Sequence, residues 1–165
     1  MLDLIDSARL SPSARNDQPL KFILLHSKEA CDTIFPFTAW AGYLKDWPGP
    51  DENERPTSYI IILSDTEISK KTDQDVGIVA QSILLTATEK GFGGCMLGSI
   101  KREKIRKSFL IDEKYEIPLV IALGKPAEKV VVEDIDSGDT HYYRDADETH
   151  HVPKRKVDEL IIDIS

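Results

Sequence analysis

The 165-residue chain has only two cysteines, Cys31 and Cys95, too few for a disulfide framework. Their plain reading is reduced thiols. No apolar run approaches the ~20 residues that crossing a bilayer requires. The first residues carry neither the basic flank nor the apolar stretch of a secretory signal, so the cytoplasm is the expected compartment. Cations are in short supply. Lys and Arg number 21 against 29 Asp and Glu, leaving a formal charge of −8. That balance argues against a nucleic-acid partner, whose binding needs a basic footprint. Compact catalytic signatures are missing too: there is no G-x-S-x-G, no H-E-x-x-H and no G-x-G-x-x-G after a strand. No catalytic side chain is assigned on this basis, and no metal ligand. The adjacent His150 and His151 read as solvated residues of a polar loop.

What is present is an ordinary globular composition, 41% hydrophobic and 30% charged. At this length it predicts one domain, 1–165, able to bury a core without disulfides or metals. Leu2–Leu10 reads as a helix, Leu20–Ser27 as a strand and Lys28–Phe35 as a short helix. Pro36–Pro56 holds four prolines, two glycines and both tryptophans, an irregular excursion. Its Trp40, Tyr43 and Trp47 suit either a satellite hydrophobic cluster or a lid over a bound ligand. Ser58–Ser64 is apolar on both faces and so reads as a central strand. Val76, Val79, Ala80, Ile83, Leu84 and Ala87 recur at helical spacing within a helix predicted over Asp73–Lys90, with Gly91 as its left-handed stop. Ile78 and Leu85 extend that apolar surface, which suits a core helix or one that also meets a partner subunit. Cys95–Ile100 and Pro118–Leu123 read as strands and Lys101–Phe109 as a basic helix. Glu133–Asp147 is acidic and turn-rich. Val157–Ile164 reads as a terminal strand or arm. Four or five short strands among helices predict an α+β domain.

The most informative stretch is Ser11–Leu20, SPSARNDQPL. Pro12 stops the first helix and Pro19 forces an extended exit into the following strand. Ser, Pro and Asn are common turn residues, so a plain helix–strand turn accounts for it. Equally, Ser13, Arg15, Asn16 and Gln18 offer donors suited to a flat, polar, anionic ligand. Three further segments follow in order: Asp75-Val76-Gly77-Ile78-Val79-Ala80-Gln81, Gly91-Phe92-Gly93-Gly94-Cys95-Met96-Leu97-Gly98-Ser99-Ile100, and Val152-Pro153-Lys154-Arg155.

These four segments together resemble the nitroreductase family, flavoenzymes that bind FMN at a homodimer interface. The resemblance implies a mainly antiparallel central sheet flanked by helices, paired into an intertwined homodimer, with a C-terminal arm over about 152–165. It implies that Pro12, Ser13, Ala14 and Asn16 touch the flavin, with Arg15 reaching its phosphate or ring edge and Gln18 bracing the loop. Leu97, Gly98 and Ser99 would lie along the ring in the other subunit, through backbone N–H groups. Lys154 and Arg155, with Lys156 beside them, would meet the phosphate by charge-assisted hydrogen bonds. The implied activity is electron transfer from NAD(P)H to a small acceptor (a nitroaromatic, quinone or enone) by a ping-pong mechanism. The flavin carries the electrons, which agrees with the lack of a catalytic constellation.

One departure stands out. Family members usually begin with an R-R-S-x-R type segment whose basic side chains grip FMN, whereas this sequence opens at Met1-Leu2-Asp3. Either the arm is lost or the true start lies upstream. Two or three charge-assisted contacts at about 1.5–3 kcal/mol each would weaken flavin affinity by orders of magnitude. The alternative is therefore a non-catalytic dimeric scaffold with weak or no flavin binding, and a generic α+β interaction domain is the third reading.

Overall fold

The computed structural model of the chain describes residues 1–135 and 138–163. The chain divides into two compact units, Met1–Trp40 with Pro50–Pro126, and Ala41–Gly49 with Ala127–Ser165.

The first unit is built on four strands, β1 (Leu20–Leu25), β2 (Ser58–Asp65), β3 (Gly93–Leu97) and β4 (Tyr115–Gly124). They pair antiparallel throughout in the order β1-β2-β4-β3. The run Tyr59–Leu63 is buried on both faces because the pleat sends its side chains alternately to two cores. Ile60 and Ile62, with Ile121 and Leu123 of β4, meet Leu4 and Ala8 of helix α1 (Leu2–Arg9). The same core takes in Val76, Val79, Ala80, Ile83 and Ala87 of helix α3 (Asp73–Glu89). On the opposite face Tyr59, Ile61 and Leu63 join Cys31 and Ile34 of helix α2 (Lys28–Ile34) and Ile105 of helix α4 (Arg102–Ser108). Each fully buried branched side chain contributes about 1.5–3 kcal/mol relative to exposure. The fold is therefore α+β, an antiparallel sheet with helices on both faces.

The glycine-rich run after α3 separates into distinct jobs. Gly91 sits at φ +77° and stops the helix, as its position predicts. Gly94 is a packing residue: a Cβ there would lie 2.4 Å from Leu84 Cδ2 and 2.8 Å from Leu123 Cδ2. Because strand pairing begins at Gly93 opposite Gly124, β3 covers Gly93–Leu97 rather than the expected Cys95–Ile100. The chain then turns away. The Arg102 guanidinium donates to the carbonyls of Gly98, Ile117 and Pro118 and fixes that turn. β4 likewise begins three residues before the expected Pro118.

The second unit departs further from expectation. Glu133–Asp147 is not simply turns: β5 (Val130–Asp134) pairs parallel with β7 (His150–Lys154), and β6 (Tyr143–Arg144) pairs antiparallel with β7. Among the described residues there are seven strands in two sheets, not four or five. Apolar–polar alternation along β5 is weak because Val130 and Val132 are apolar yet exposed, while the half-buried Glu133 is polar. Val157–Leu160 forms a 3-10 turn instead of a terminal strand, with Val157, Leu160, Ile161 and Ile162 exposed. Ile164 of that expected segment lies outside the described residues.

Candidate cofactor site

The Ser11–Leu20 segment is an elbow held from beneath by α3. Asp75, the third residue of that helix, is 4% exposed. Its carboxylate accepts from Ser13 Oγ at 2.5 Å and from the Ala14 N–H at 3.1 Å. Ser13 Oγ in turn accepts from the Gln18 N–H at 3.0 Å, and Gln18 Nε2 donates to the Asn16 carbonyl. Ser11 Oγ adds a bond to Ser82 Oγ of α3. At the far end the Asp65 N–H donates to Pro19 O, joining the elbow to the end of β2.

These ties hold an unusual backbone. Arg15, Asn16 and Gln18 have φ of 54°, 61° and 50°, all in the left-handed region. Asn tolerates it, while side chains such as Arg and Gln adopt it at a cost on the order of 1–3 kcal/mol each. The consequence is directional. Ser13 is turned inward to Asp75, whereas Pro12, Ala14, Arg15 and Asn16 are exposed. Arg15 pairs with Asp17 at 2.9 Å. The Asn16 side-chain amide makes no hydrogen bond among the described residues.

The other expected residues fall in two places. Leu97 closes β3 with its side chain buried at 4% exposure in the core beneath Ile61, leaving only its backbone for a ligand. Gly98 and Ser99 are exposed, and a Cβ on Gly98 would meet nothing within 4 Å. The Ser99 carbonyl accepts from the Ala39 N–H at 3.0 Å. No hydrogen bond joins this turn to the elbow among the described residues. Lys154 and Arg155 belong to the second unit. Lys154 ends β7 with an exposed side chain that forms no ion pair among the described residues, and Arg155 faces Glu159 at 3.6 Å.

His150 and His151 are not solvated. His151 Nδ1 lies 2.9 Å from Glu133 Oε2 and its Nε2 lies 3.0 Å from Asp145 Oδ2. The ring stacks on Tyr143, whose hydroxyl donates to Glu133. Hydrogen bonds to Asp145 and then Glu133 hold the imidazole above its ordinary value. The His151 bond and backbone N–H donors hold Asp145 below the usual carboxylate range. His150 meets Glu128, which also takes the Arg144 guanidinium at 2.6 Å. Adjacent histidines alternate across a strand, so each finds carboxylates on its own face. Trp40 stacks with Phe35 in the first unit, while Tyr43 packs on Tyr142 and Trp47 lies under Arg144 in the second.

The residue that sequence reasoning passed over is Asp75. In the sequence it stands only as the first residue of the Asp75–Gln81 segment. Its role depends on a partner 62 positions away, for which local pattern gives no signal.

The antiparallel sheet flanked by helices is also the fold of known proteins that this chain resembles. The nitroreductase family model matches residues 1–125, and the chain belongs to that family. It is 31% identical over 140 residues to a Methanothermobacter thermautotrophicus protein provisionally named as an NADH dehydrogenase/NAD(P)H nitroreductase, covering 80% of this chain and 68% of that one. Among solved structures, an FMN-dependent nitroreductase from Clostridium difficile superposes with a TM-score of 0.62 at 22% identity, covering 77% and 75%. A nitroreductase family protein from Streptococcus pneumoniae gives 0.66 at 17% identity, covering 98% and 87%. At these identities the two structures speak to fold alone. No helix among the described residues is long and apolar enough to cross a membrane.

Proposed function

We propose that this member of an oxidoreductase family is an FMN-dependent enzyme that takes electrons from NAD(P)H. It passes them to a small acceptor, a nitroaromatic, quinone or enone, in alternating ping-pong half-reactions. The observation that carries this reading is the elbow: it presents Pro12, Ala14, Arg15 and Asn16 outward on a backbone already fixed from within. The donor set fits the cofactor. The Asn16 side-chain amide, which makes no hydrogen bond among the described residues, and the Arg15 guanidinium suit a polar heteroaromatic edge. Open space at Gly98 lets backbone approach a planar ring. Lys154 and Arg155 supply charge for a phosphomonoester. When bound, the flavin supplies the electron-carrying chemistry. The chain's own part is to orient the ring through the elbow and the Leu97–Ser99 backbone and to hold the phosphate.

A homodimer belongs to the same proposal, with 1–165 acting as one functional domain and the cytoplasm as its compartment. Ile78 and Leu85 of α3 are 39% and 61% exposed and lie seven residues apart, one apolar stripe of the helix left uncovered in the single chain. The test is reconstitution. Purified protein loaded with FMN is expected to show a visible flavin band that NAD(P)H bleaches and an acceptor restores, and to run as a dimer on sizing. Protein that takes up no FMN and oxidises no NAD(P)H overturns the reading.

A further inference from the structure

We propose that Asp75 is a positioning residue for the cofactor site: it acts through Ser13 to hold the elbow in its ligand-ready shape and touches no ligand itself. The proposal rests on the FMN reading above. Three positions of the elbow, Arg15, Asn16 and Gln18, occupy left-handed backbone, a shape that surrounding structure must impose. The bonds imposing it converge on one carboxylate. Asp75 takes the Ser13 hydroxyl and the Ala14 N–H, and the same Ser13 oxygen captures the Gln18 N–H, so both ends of the left-handed segment are tied to one side chain.

That carboxylate is a firm anchor. It is buried, it sits in the first turn of the 17-residue helix α3, and it forms no ion pair among the described residues. The N-terminal helix dipole favours its charge. Its hydrogen-bond donors in the described structure come from the elbow, so anchor and elbow depend on each other. Partners distinguish the two serines: Ser13 reaches the anchor, whereas Ser11 bonds the Ser7 carbonyl and Ser82. A loop held in this way spends little on ordering when a ligand arrives, and loosening it leaves only a fraction of molecules competent to bind.

The experiment is an FMN titration of wild type, Asp75→Ala, Asp75→Asn, Ser13→Ala and the Asp75→Ala/Ser13→Ala double variant, alongside trypsin cleavage after Arg15 without FMN. If the competent fraction falls to one-tenth, Asp75→Ala raises the FMN Kd about tenfold. Ser13→Ala weakens binding in the same direction, and the double variant loses less than the two single losses combined, because both break the shared Ser13–Asp75 bond. Asp75→Asn, whose carboxamide still accepts from Ala14 and meets Ser13, binds within a few-fold of wild type. Cleavage after Arg15 accelerates in the two alanine variants and not in Asp75→Asn. A role confined to stability would lower the Tm without this coupled loss and rescue. Folded Ser13→Ala that binds FMN as tightly as wild type, with cleavage unchanged, overturns the proposal, and so do additive losses in the double variant. Wild type that fails to bind FMN overturns the cofactor reading instead, while the cleavage pattern still reports whether Asp75 holds the elbow.

Discussion

The two sheets solve the same problem with different materials. In the first, β2 and β4 carry unbroken apolar runs whose alternate side chains fill two separate cores. In the second, the strands are joined across their faces by two histidines, an arginine, carboxylates and stacked rings: Glu133, His151, Asp145 and Tyr143 on one side, Glu128, Arg144 and His150 on the other. Few apolar side chains of this second unit are buried, Ile135 being one. The first sheet depends on area removed from water rather than on the charge of its core side chains. The second depends on charge state, and partly exposed ion pairs are screened and individually weak.

The largest expected effect comes from breaking the apolar sheet. Ile61→Ala removes a fully buried side chain from the centre of β2 and is expected to cost about 2–5 kcal/mol, read as a lower urea midpoint. Next is a paired substitution in the glycine-rich run. Gly94→Ala forces a methyl against Leu84 and Leu123 and is expected to cost about 1–3 kcal/mol. Gly98→Ala meets open space; it leaves the urea midpoint near wild type and weakens FMN binding, separating a glycine kept for packing from one kept for ligand approach.

The smallest effect belongs to the polar sheet and is read by pH. His151 is raised, so its contribution is fully present below its ordinary value of 6.5 and is lost as pH climbs through the folded value. Asp145 is lowered, so its contribution is present above the ordinary carboxylate range and is lost as pH falls through the depressed value. Both act together between about pH 4 and 6.5. Thermal stability is expected to decline from pH 6 to 9 in wild type, and this decline is expected to flatten in His151→Gln. An identical slope in the two proteins refutes the pairing.

The same contrast decides what was legible in advance. Helix α3 and strand β2 could be read from Val76, Val79, Ala80 and Ile83 and from Tyr59–Leu63, because burial of apolar side chains leaves a period in the chain. The elbow could be read from Pro12 and Pro19, residues with fixed backbone demands. The strand Val130–Asp134 could not, since its inward positions are held by partners such as His151 that lie distant in sequence. His150 and His151 were misjudged for that reason: a polar side chain bonded across a sheet and one dissolved in water look alike in one dimension. Of the residues expected to meet the cofactor, Pro12, Ala14, Arg15 and Asn16 lie exposed, while Ser13 is bonded into the brace behind them.

That brace joins a short connector to the longest helix among the described residues. A tether rooted in the opening turn of α3 makes the connector an appendage of that helix. A shift at the head of α3 would thus be passed through Asp75 and Ser13 to Arg15 and Asn16. The responsiveness of this corner is therefore set by a piece of framework remote from it in the chain.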